Sequence, residues 1–195
     1  MLDEIGDIIV FGLEEREDRW ARCKKILHDN GIKKITRFAN KKGDDLYKTQ
    51  TEDFLRVLQL KKGNIVFFED DFELTDGWKD VFMKAWNDLP ENWDLLYLGA
   101  NLTKKPKRIT ENLVKIRGAW CFHAVVIHPM FAQWALKHYN LAYKQVWDEW
   151  LRNQAEGRNF YMTYPMISYQ RESYSDFVGK VVNYNIFNNK YYLGL

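Results

Sequence analysis

The chain has 195 residues and a net charge of +2, from 29 basic and 27 acidic side chains. This length fits one compact domain with a core of its own, and the near-neutral charge excludes nucleic-acid binding by bulk basicity. Because Cys23 and Cys121 are the only cysteines, the sequence excludes a disulfide framework and a cysteine-based metal cluster. Aromatic residues make up 16% of the chain, which indicates either a core of large side chains or surfaces that stack on flat or sugar-like ligands.

The beginning of the chain lacks the pattern of a signal peptide. Residues 1–7 carry acidic side chains instead of a basic region followed by an apolar run. No apolar stretch of the sequence approaches the roughly 20 residues that a membrane-spanning helix needs. We therefore expect a cytoplasmic protein, and peripheral association with a membrane stays open at this stage.

The first third of the chain alternates between predicted strands and helices. Residues 8–11 form a β-branched run that predicts a buried strand, and apolar residues at helical spacing predict a helix over 16–29. Residues 35–38 predict the next strand, and 51–60 predict a second helix. Residues 65–68 are four large apolar side chains without alternation, which is typical of a central parallel strand covered on both faces.

The same alternation continues through the rest of the chain. Further strands are predicted at 94–99, 119–127 and 160–163, and further helices at 77–89, 129–139 and 146–154. Residues 181–195 have no clear period. Strand–helix–strand units are the signature of a mostly parallel sheet with helices on both faces. The sequence therefore predicts a single α/β domain with a Rossmann-like sheet.

An acidic triad directly follows the clearest strand. Glu69, Asp70 and Asp71 come after residues 65–68, and ligands of open α/β sheets bind at the carboxyl ends of strands. Three adjacent carboxylates repel one another unless a cation or hydrogen-bond donors neutralise them. Mg²⁺ or Mn²⁺, held by carboxylate and phosphate oxygens, would do so. The alternative is an acidic loop at the start of the next helix.

A second pair of acids lies between two tryptophans. Asp148 and Glu149 stand between Trp147 and Trp150 near the start of a predicted helix. Bulky aromatic neighbours would desolvate a carboxylate, raise its pKa and make it a better general base. In the alternative interpretation the tryptophans belong to the core and both acids are solvated. The tryptophans are also candidates for a platform on which an acceptor sugar stacks.

Basic residues and histidines give weaker signals. Arg16 and Arg19 follow the first strand, where a nucleotide or its phosphates would dock, or else they form a solvated loop with nearby acids. The loop at 104–108 either steers an anionic substrate or is simply solvated. His123 and His128 are more often structural than ligands in such positions. The sequence has neither a P-loop nor a G-x-S-x-G nucleophile motif.

Several motifs recur in a fixed order over residues 8–176. They are L-x-x-R-x-x-R at 13–19, RF-A at 37–39, an apolar strand ending in E-D-D at 66–72, D-x-x-Y-L-G at 94–99, D-x-x-L at 148–151 and a late series of Pro165, Gln170, Ser175 and Asp176. In this order they resemble glycosyltransferase family 25, which includes lipooligosaccharide glycosyltransferases and collagen galactosyltransferases. Gly12 departs from the pattern, because the family often has asparagine there.

The resemblance implies a GT-A-type fold, a nucleotide-diphosphate sugar donor such as a UDP-sugar, bound Mn²⁺ or Mg²⁺, and inversion at the transferred sugar. The residues it assigns to metal, donor and base fall into three groups. Metal ligands are Asp71 with Glu69 or Asp70; donor-site candidates are Arg16, Arg19, Glu69, Asp70, Gly99 and Asp176; the base is Asp148, with Glu149 as its rival. The acceptor stays open among a saccharide, a lipid-linked sugar, a protein and a modified nucleobase.

Two other functions compete with sugar transfer. A metal-dependent nucleotidyl or phosphoryl transferase would use the same acidic triad and act on nucleoside triphosphates without a sugar. A catalytically silent domain that binds sugars or a partner would keep the fold and the aromatic residues but not turnover.

Overall fold

A computed structural model describes residues 2–43, 45–60, 62–140, 145–176 and 178–195. The helices are α1 (Leu2–Ile5), α2 (Glu17–Asp29), α3 (Leu46–Leu60), α4 (Trp78–Asn87), α5 (Pro129–His138), α6 (Trp147–Gln154) and α7 (Lys190–Leu193). The strands are β1 (Asp7–Leu13), β2 (Ile35–Asn40), β3 (Ile65–Glu69), β4 (Phe72–Leu74), β5 (Leu95–Tyr97), β6 (Asn101–Leu102), β7 (Lys107–Arg108), β8 (Leu113–Lys115), β9 (Ala119–Trp120), β10 (Ala124–Ile127), β11 (Phe160–Thr163), β12 (Ser168–Gln170), β13 (Ser173–Ser175) and β14 (Lys180–Val182). The predicted strand–helix alternation is thus confirmed, with ends that differ by a few residues.

The central sheet has eight strands in the order β2-β1-β3-β10-β5-β11-β8-β7. Strand β10 runs antiparallel to both of its neighbours, and β8 does the same between β11 and β7. The other six strands therefore share one direction, which confirms the mostly parallel sheet. Three two-stranded ladders, β4–β12, β13–β14 and β6–β9, lie outside it.

Helices cover both faces of this sheet, as the unbroken apolar strands predict. In β3, Ile65 and Phe67 pack in one core while Val66 and Phe68 pack in the other. Helices α3, α5 and α6 contribute to the first core, and α1, α2 and α4 to the second. Side chains of a strand alternate between its faces, so a strand buried on both sides must be apolar throughout.

The structure corrects two details of the predicted sheet. The predicted parallel strand β3 has a parallel neighbour, β1, on one side and the antiparallel β10 on the other. The single strand predicted over 119–127 is two strands, because the chain turns at Cys121, whose φ is 73°. A positive φ is uncommon for a residue with a side chain, and its sequence gives no sign of it.

The last residues are ordered against the sheet although their sequence has no period. A 3₁₀ helix at Ile186–Asn188 buries Ile186 in the first core. The side chain of Asn189 donates a 2.8 Å hydrogen bond to the carbonyl of Leu102, and the Tyr192 hydroxyl accepts one of 3.2 Å from the amide of Met166. These contacts hold the end of the chain beside β6 and β12.

Among the described residues, no helix is both long and apolar enough to cross a lipid bilayer.

Candidate active site

A cavity of about 410 Å³ opens at the carboxyl ends of β1, β2 and β3, where open α/β sheets bind ligands. Its wall combines aromatic side chains with carboxylates. Of the residues predicted for the site, Arg19, Glu69, Asp70, Asp71, Asp148 and Asp176 line the cavity, whereas Arg16, Gly99 and Glu149 do not. The fold thus brings together acids from three distant parts of the sequence.

Three of the acids, Glu69, Asp71 and Asp148, form a cluster in the cavity, and two of them share one amide donor. Glu69 ends β3, Asp71 follows it at the turn, and Asp148 lies in the first turn of α6. The side-chain amide of Gln170, on β12, donates to Glu69 at 3.3 Å and to Asp71 at 3.2 Å. Among the described residues, no lysine or arginine forms an ion pair with these three acids. The cluster therefore holds more negative charge than its hydrogen-bond donors offset.

Burial and mutual repulsion shift the pKa values of this cluster upward. Burial, followed by the charge of Asp70, raises the pKa of Asp71 to about 6. Burial raises the pKa of Asp148 to about 6 against two backbone hydrogen bonds that lower it. The pKa of Glu69 lies well above its usual range because of burial and then the charges of Asp71 and Asp148. A cation placed among them would oppose all of these shifts.

Asp148 is held by the backbone of the turn at Cys121. The Cys121 amide donates a 3.2 Å hydrogen bond to the Asp148 carboxylate, and both residues line the cavity. The positive φ of Cys121 belongs to the turn that presents this amide. Backbone conformations of this kind persist where the surrounding structure fixes them, often at functional sites.

Glu149, the alternative to Asp148, is directed elsewhere. Its carboxylate lies 3.7 Å from the guanidinium of Arg152 on the same helix, and its side chain is 39% exposed. Successive residues of a helix point about 100° apart, so the two acids do not share one face. The acid that lines the cavity is Asp148.

The middle acid of the triad, Asp70, has a different environment from its neighbours. Arg19 donates a 2.7 Å hydrogen bond to its carboxylate, and both side chains are largely buried. A Cβ atom on Gly12 would lie 2.4 Å from an oxygen of this carboxylate. Glycine at this position therefore leaves room for the Asp70–Arg19 pair. Asp70 was predicted as a metal ligand, but its carboxylate already forms an ion pair with Arg19.

Both predicted donor-site arginines link the start of α2 to the β13–β14 hairpin. Arg19 also donates to the carbonyl of Tyr174, and Arg16 donates to Asp176 at 2.6 Å and to Asp18 at 3.1 Å. Their guanidinium groups thus bridge parts of the chain about 160 residues apart. Arg16 does not line the cavity, and Arg19 reaches it as a member of an ion pair.

The carboxylates of the cavity offer a divalent cation a small set of protein ligands. Among the described residues, no group of three or more histidine, cysteine, aspartate or glutamate side chains is arranged to hold a metal ion. Mg²⁺ in phosphate-transfer sites commonly takes one or two protein carboxylates together with substrate phosphates. Glu69 and Asp71, which share the Gln170 amide, fit that smaller set.

Gly99 and the two histidines belong to the framework behind the site. A Cβ atom on Gly99 would lie 1.9 Å from the carbonyl oxygen of Ser168, so glycine is required by a close backbone approach and not by a ligand. His123 is fully buried, which lowers its pKa to about 4, and His128 accepts a hydrogen bond from the Met130 amide at the start of α5. Both histidines lie outside the cavity lining.

The predicted tryptophan platform is wrong for Trp150. Trp147 and Trp150 are 7% and 5% exposed, and their rings stack at 5.3 Å inside the first core. Of the two, Trp147 reaches the cavity, where its ring centroid lies 4.1 Å from that of Phe54. The aromatic content therefore belongs chiefly to the core.

Trp120 and Tyr184 also line the cavity, although no sequence pattern predicted them there. Trp120 comes from β9 and is partly exposed, with the Arg152 guanidinium 4.1 Å from its ring centroid. Tyr184 comes from the segment without a period, and burial raises its pKa. No local pattern marks either residue, because their positions depend on how distant segments pack. Gln170 had only its place in the family motif as a signal.

Comparison with known proteins leaves the family open. No family model matches the sequence, and no curated protein matches it either. Among solved structures, one described as mannose-1-phosphate geranyltransferase from Thermus thermophilus aligns with 81% of this chain and 73% of its own at 8% identity, with a TM-score of 0.47. The resemblance to glycosyltransferase family 25 stays a prediction. The chain is an α/β domain with a mostly parallel sheet and an acidic cavity at its strand ends.

Proposed function

We propose that this protein is a metal-dependent inverting glycosyltransferase that moves a sugar from a nucleotide-diphosphate sugar, most simply a UDP-sugar, to an acceptor hydroxyl. The observation that carries the proposal is the cluster of Glu69, Asp71 and Asp148, three carboxylates in one cavity at the strand ends that form no ion pair with any described lysine or arginine. The ordered motifs that resemble glycosyltransferase family 25 support the same reaction.

Glu69 and Asp71 are the residues that would hold Mn²⁺ or Mg²⁺. When bound, the metal supplies neutralisation of the charge that develops on the departing diphosphate. Gln170 orients both carboxylates through its amide. Asp70 is not proposed as a ligand of the metal, because its carboxylate is already paired with Arg19. We propose that this pair holds the turn that carries Glu69 and Asp71.

Asp148 is proposed as the general base. Its carboxylate is fixed by the Cys121 amide, and the residue lines the cavity. The acceptor hydroxyl gives its proton to Asp148 while its oxygen forms a bond to the anomeric carbon. The bond from that carbon to the diphosphate breaks, and its electron pair leaves with the diphosphate.

The aromatic part of the cavity is suited to the nucleoside of the donor. Phe11, Phe54 and Phe67 line it together with two buried polar residues, Asn40 and Thr51. Flat apolar walls with a few hydrogen-bonding groups are typical of sites for ring-shaped ligands. Arg19 and Asp176, proposed for the donor site from the sequence, would then border the nucleotide from the hairpin side.

Donor binding is the first test. We would titrate a panel of UDP- and GDP-sugars into the protein with Mn²⁺, without metal and in the Asp71→Asn variant, using calorimetry. We expect one donor class to bind only with metal and the variant to lose that binding. Asp76→Asn is the matched control, because Asp76 is an exposed acid beyond the cavity. No binding by any donor, or unchanged binding in Asp71→Asn, would contradict the proposal.

The role of Asp148 is tested by separating binding from donor hydrolysis. Asp148→Asn should bind the donor with metal yet lose slow hydrolysis and transfer, whereas Glu149→Gln should keep both. Cleavage of nucleoside triphosphates without any reaction of a sugar donor would favour nucleotidyl or phosphoryl transfer instead. Donor binding without turnover toward any acceptor would favour a silent binding domain.

A further inference from the structure

A short ladder leads from the cavity to a group of basic residues on the surface. Asn101 and Trp120, which both line the cavity, face each other across the β6–β9 pair. Two residues further along, just beyond the β6–β9 pair, the amide of Thr103 donates a 3.0 Å hydrogen bond to the carbonyl of Gly118. Lys104 and Arg117 follow in the bends just outside β6 and β9. At about 3.3 Å per residue, Arg117 lies roughly 10 Å along the chain from Trp120.

Helix α6 runs beside this ladder and carries the proposed base. Arg152 comes four residues after Asp148, so it lies on the same helical face about 6 Å further along the axis. Its guanidinium stands 4.1 Å from the ring centroid of Trp120. The stems of Arg152 and Lys104 also meet over Gly118, where a Cβ atom would lie 3.8 and 3.9 Å from their Cγ atoms. Arg152, Lys104 and Arg117 therefore form one basic cluster beside Trp120.

The acids near the basic cluster do not fully offset it. Glu156 accepts from both Lys104 at 3.0 Å and Arg117 at 3.2 Å, and Glu149 lies 3.7 Å from Arg152. Three cations thus face two carboxylates. The side chains of Lys104 and Arg117 are 53% and 57% exposed, and exposed ion pairs of this kind stabilise a fold by at most about 1 kcal/mol. An anion that binds these three cations more strongly can therefore displace Glu156 and Glu149.

We infer that Trp120 and the basic cluster form the acceptor subsite and that the acceptor is a sugar carrying a phosphate group. The sugar ring would pack on Trp120, next to the Asp148 carboxylate, and its phosphate would bind Arg152, Lys104 and Arg117. Two guanidinium groups and an ammonium supply charge-assisted donors that suit phosphate oxygens. This inference rests on the proposed function for the reaction itself.

The basic cluster is separate from the place proposed for the donor diphosphate. That diphosphate is proposed to lie at Glu69 and Asp71, at the end of β3. The basic cluster is reached from Asp148 in another direction, along α6 and β9. The donor diphosphate and the acceptor phosphate would thus lie in different directions from Asp148, an arrangement suited to transfer from a nucleotide donor to a phosphorylated acceptor.

Binding of small phosphorylated sugars tests this subsite without turnover. With UDP and Mn²⁺ present, we would titrate the methyl glycosides of glucose, galactose and mannose and their 6-phosphates at low ionic strength. We expect at least one phosphate to bind about tenfold more tightly than its parent sugar and to lose that advantage in added salt. Arg117→Glu combined with Lys104→Glu should abolish the advantage, and Trp120→Ala should weaken both forms.

Lys33→Glu is the matched control, because Lys33 is exposed just before β2, at the end of the sheet opposite the cavity. It should leave the preference for phosphate unchanged, and thermal unfolding would verify that each variant is folded. Equal binding of neutral and phosphorylated sugars, no binding of any phosphate, or an equal loss in Lys33→Glu would overturn the inference. Tighter, cluster-dependent binding of a single-stranded oligonucleotide would also overturn it in favour of a nucleic-acid acceptor.

The same variants separate this inference from the proposed function. Metal-dependent binding of the UDP-sugar is measured in Lys104→Glu/Arg117→Glu and in Lys33→Glu and should be unchanged there, since these three residues lie outside the cavity lining, whereas Trp120 is part of it. Normal donor binding without a phosphate preference would contradict the acceptor subsite alone. Failure of the wild-type protein to bind any donor would contradict the proposed function.

Discussion

Asp70 and Asp71 are neighbours in the chain, yet their surroundings are opposite. Asp70 forms an ion pair with Arg19 at 2.7 Å. Asp176, in the β13–β14 hairpin that Arg19 also contacts, forms one with Arg16 at 2.6 Å. Asp71 instead accepts from the amide of Gln170, which it shares with Glu69. Among the described residues, the site thus contains arginine-linked acids, Asp70 and Asp176, and acids without an ion pair, Glu69, Asp71 and Asp148.

The two groups of acids differ in how far their charge is compensated, since Arg19 opposes the burial that raises the pKa of Asp70 and no described lysine or arginine pairs with Asp71. A buried ion pair holds its partners in place, and removing one partner leaves a charge in a poorly solvated position. Unpaired buried carboxylates raise the free energy of the folded state whenever they are ionised. One acidic motif therefore supplies both a structural link, at Asp70, and a carboxylate whose charge a bound cation would neutralise, at Asp71.

Breaking the deepest arginine link should have the largest effect. Arg19→Ala leaves the carboxylate of Asp70 without its cation and removes the donor to the Tyr174 carbonyl. We expect the free energy of unfolding to fall by about 3–5 kcal/mol, measured by urea denaturation. The double variant Arg19→Ala/Asp70→Ala should lose less than the sum of the two single variants. A loss below about 1 kcal/mol for Arg19→Ala would place the pair among weak surface pairs.

Crowding the same link without changing any charge should have the next largest effect. In Gly12→Ala the new methyl group would meet the Asp70 carboxylate at 2.4 Å and displace it from Arg19. We expect a loss of about 1–3 kcal/mol, read from the midpoint of chemical denaturation. Gly63→Ala is the control, because no heavy atom lies within 4 Å of a Cβ atom built there. Equal effects of the two substitutions would argue against a specific contact at Gly12.

Neutralising an acid without an ion pair should change stability with the opposite sign. Because folding raises the pKa of Asp71 from 3.8 to about 6, its ionised form destabilises the metal-free protein at pH 7. Asp71→Asn should therefore stabilise that protein by roughly 1–2 kcal/mol, seen as a higher midpoint of thermal unfolding.

The pH dependence sharpens this prediction. A group whose pKa is raised in the folded state contributes stability below its unfolded pKa and loses it as the pH rises through the folded value. The advantage of Asp71→Asn should therefore shrink as the pH falls below about 6 and vanish below about 4. Asp76→Asn, at an exposed acid, is the control. A destabilised Asp71→Asn at pH 7 would mean that the Asp71 charge is compensated.

Breaking the outer arginine link should have the smallest effect. Arg16 and Asp176 are 22% and 21% exposed, so water can solvate either partner when the other is removed. Arg16→Ala should cost about 1 kcal/mol or less, and the difference should decrease in high salt. Urea denaturation at two salt concentrations measures both effects. A loss as large as that of Arg19→Ala would show that exposure does not distinguish the two links.

Local sequence patterns predicted the elements that carry the site. The apolar run before Glu69 predicted β3 and the acids at its end, because a strand buried on both faces must be apolar and its end is where polar groups reappear. Helical spacing predicted α6 and placed Asp148 in its first turn. The break at Cys121 was missed, since a positive φ in a residue other than glycine has no sequence signature.

Long-range contacts could not be predicted in the same way. The sequence suggested that Arg16 and Arg19 bind phosphates, but both form links to a hairpin about 155 residues further along the chain. Trp120, Gln170 and Tyr184 line the cavity although no local pattern marks any of them as facing it. Their roles depend on which side chains the fold places within a few ångströms.

Local sequence patterns are enough to predict the α/β class, the order of the main strands and helices and the position of the acidic motif. These features follow from hydrophobic periodicity and from residues that terminate strands and helices, both of which act over a few residues. The folded chain is needed to see that Asp70 is paired with an arginine while Asp71 is not, that Asp148 and not Glu149 lines the cavity, and that Trp120 borders a basic cluster. Those distinctions depend on burial and on distances between remote segments, and both arise only when the chain packs.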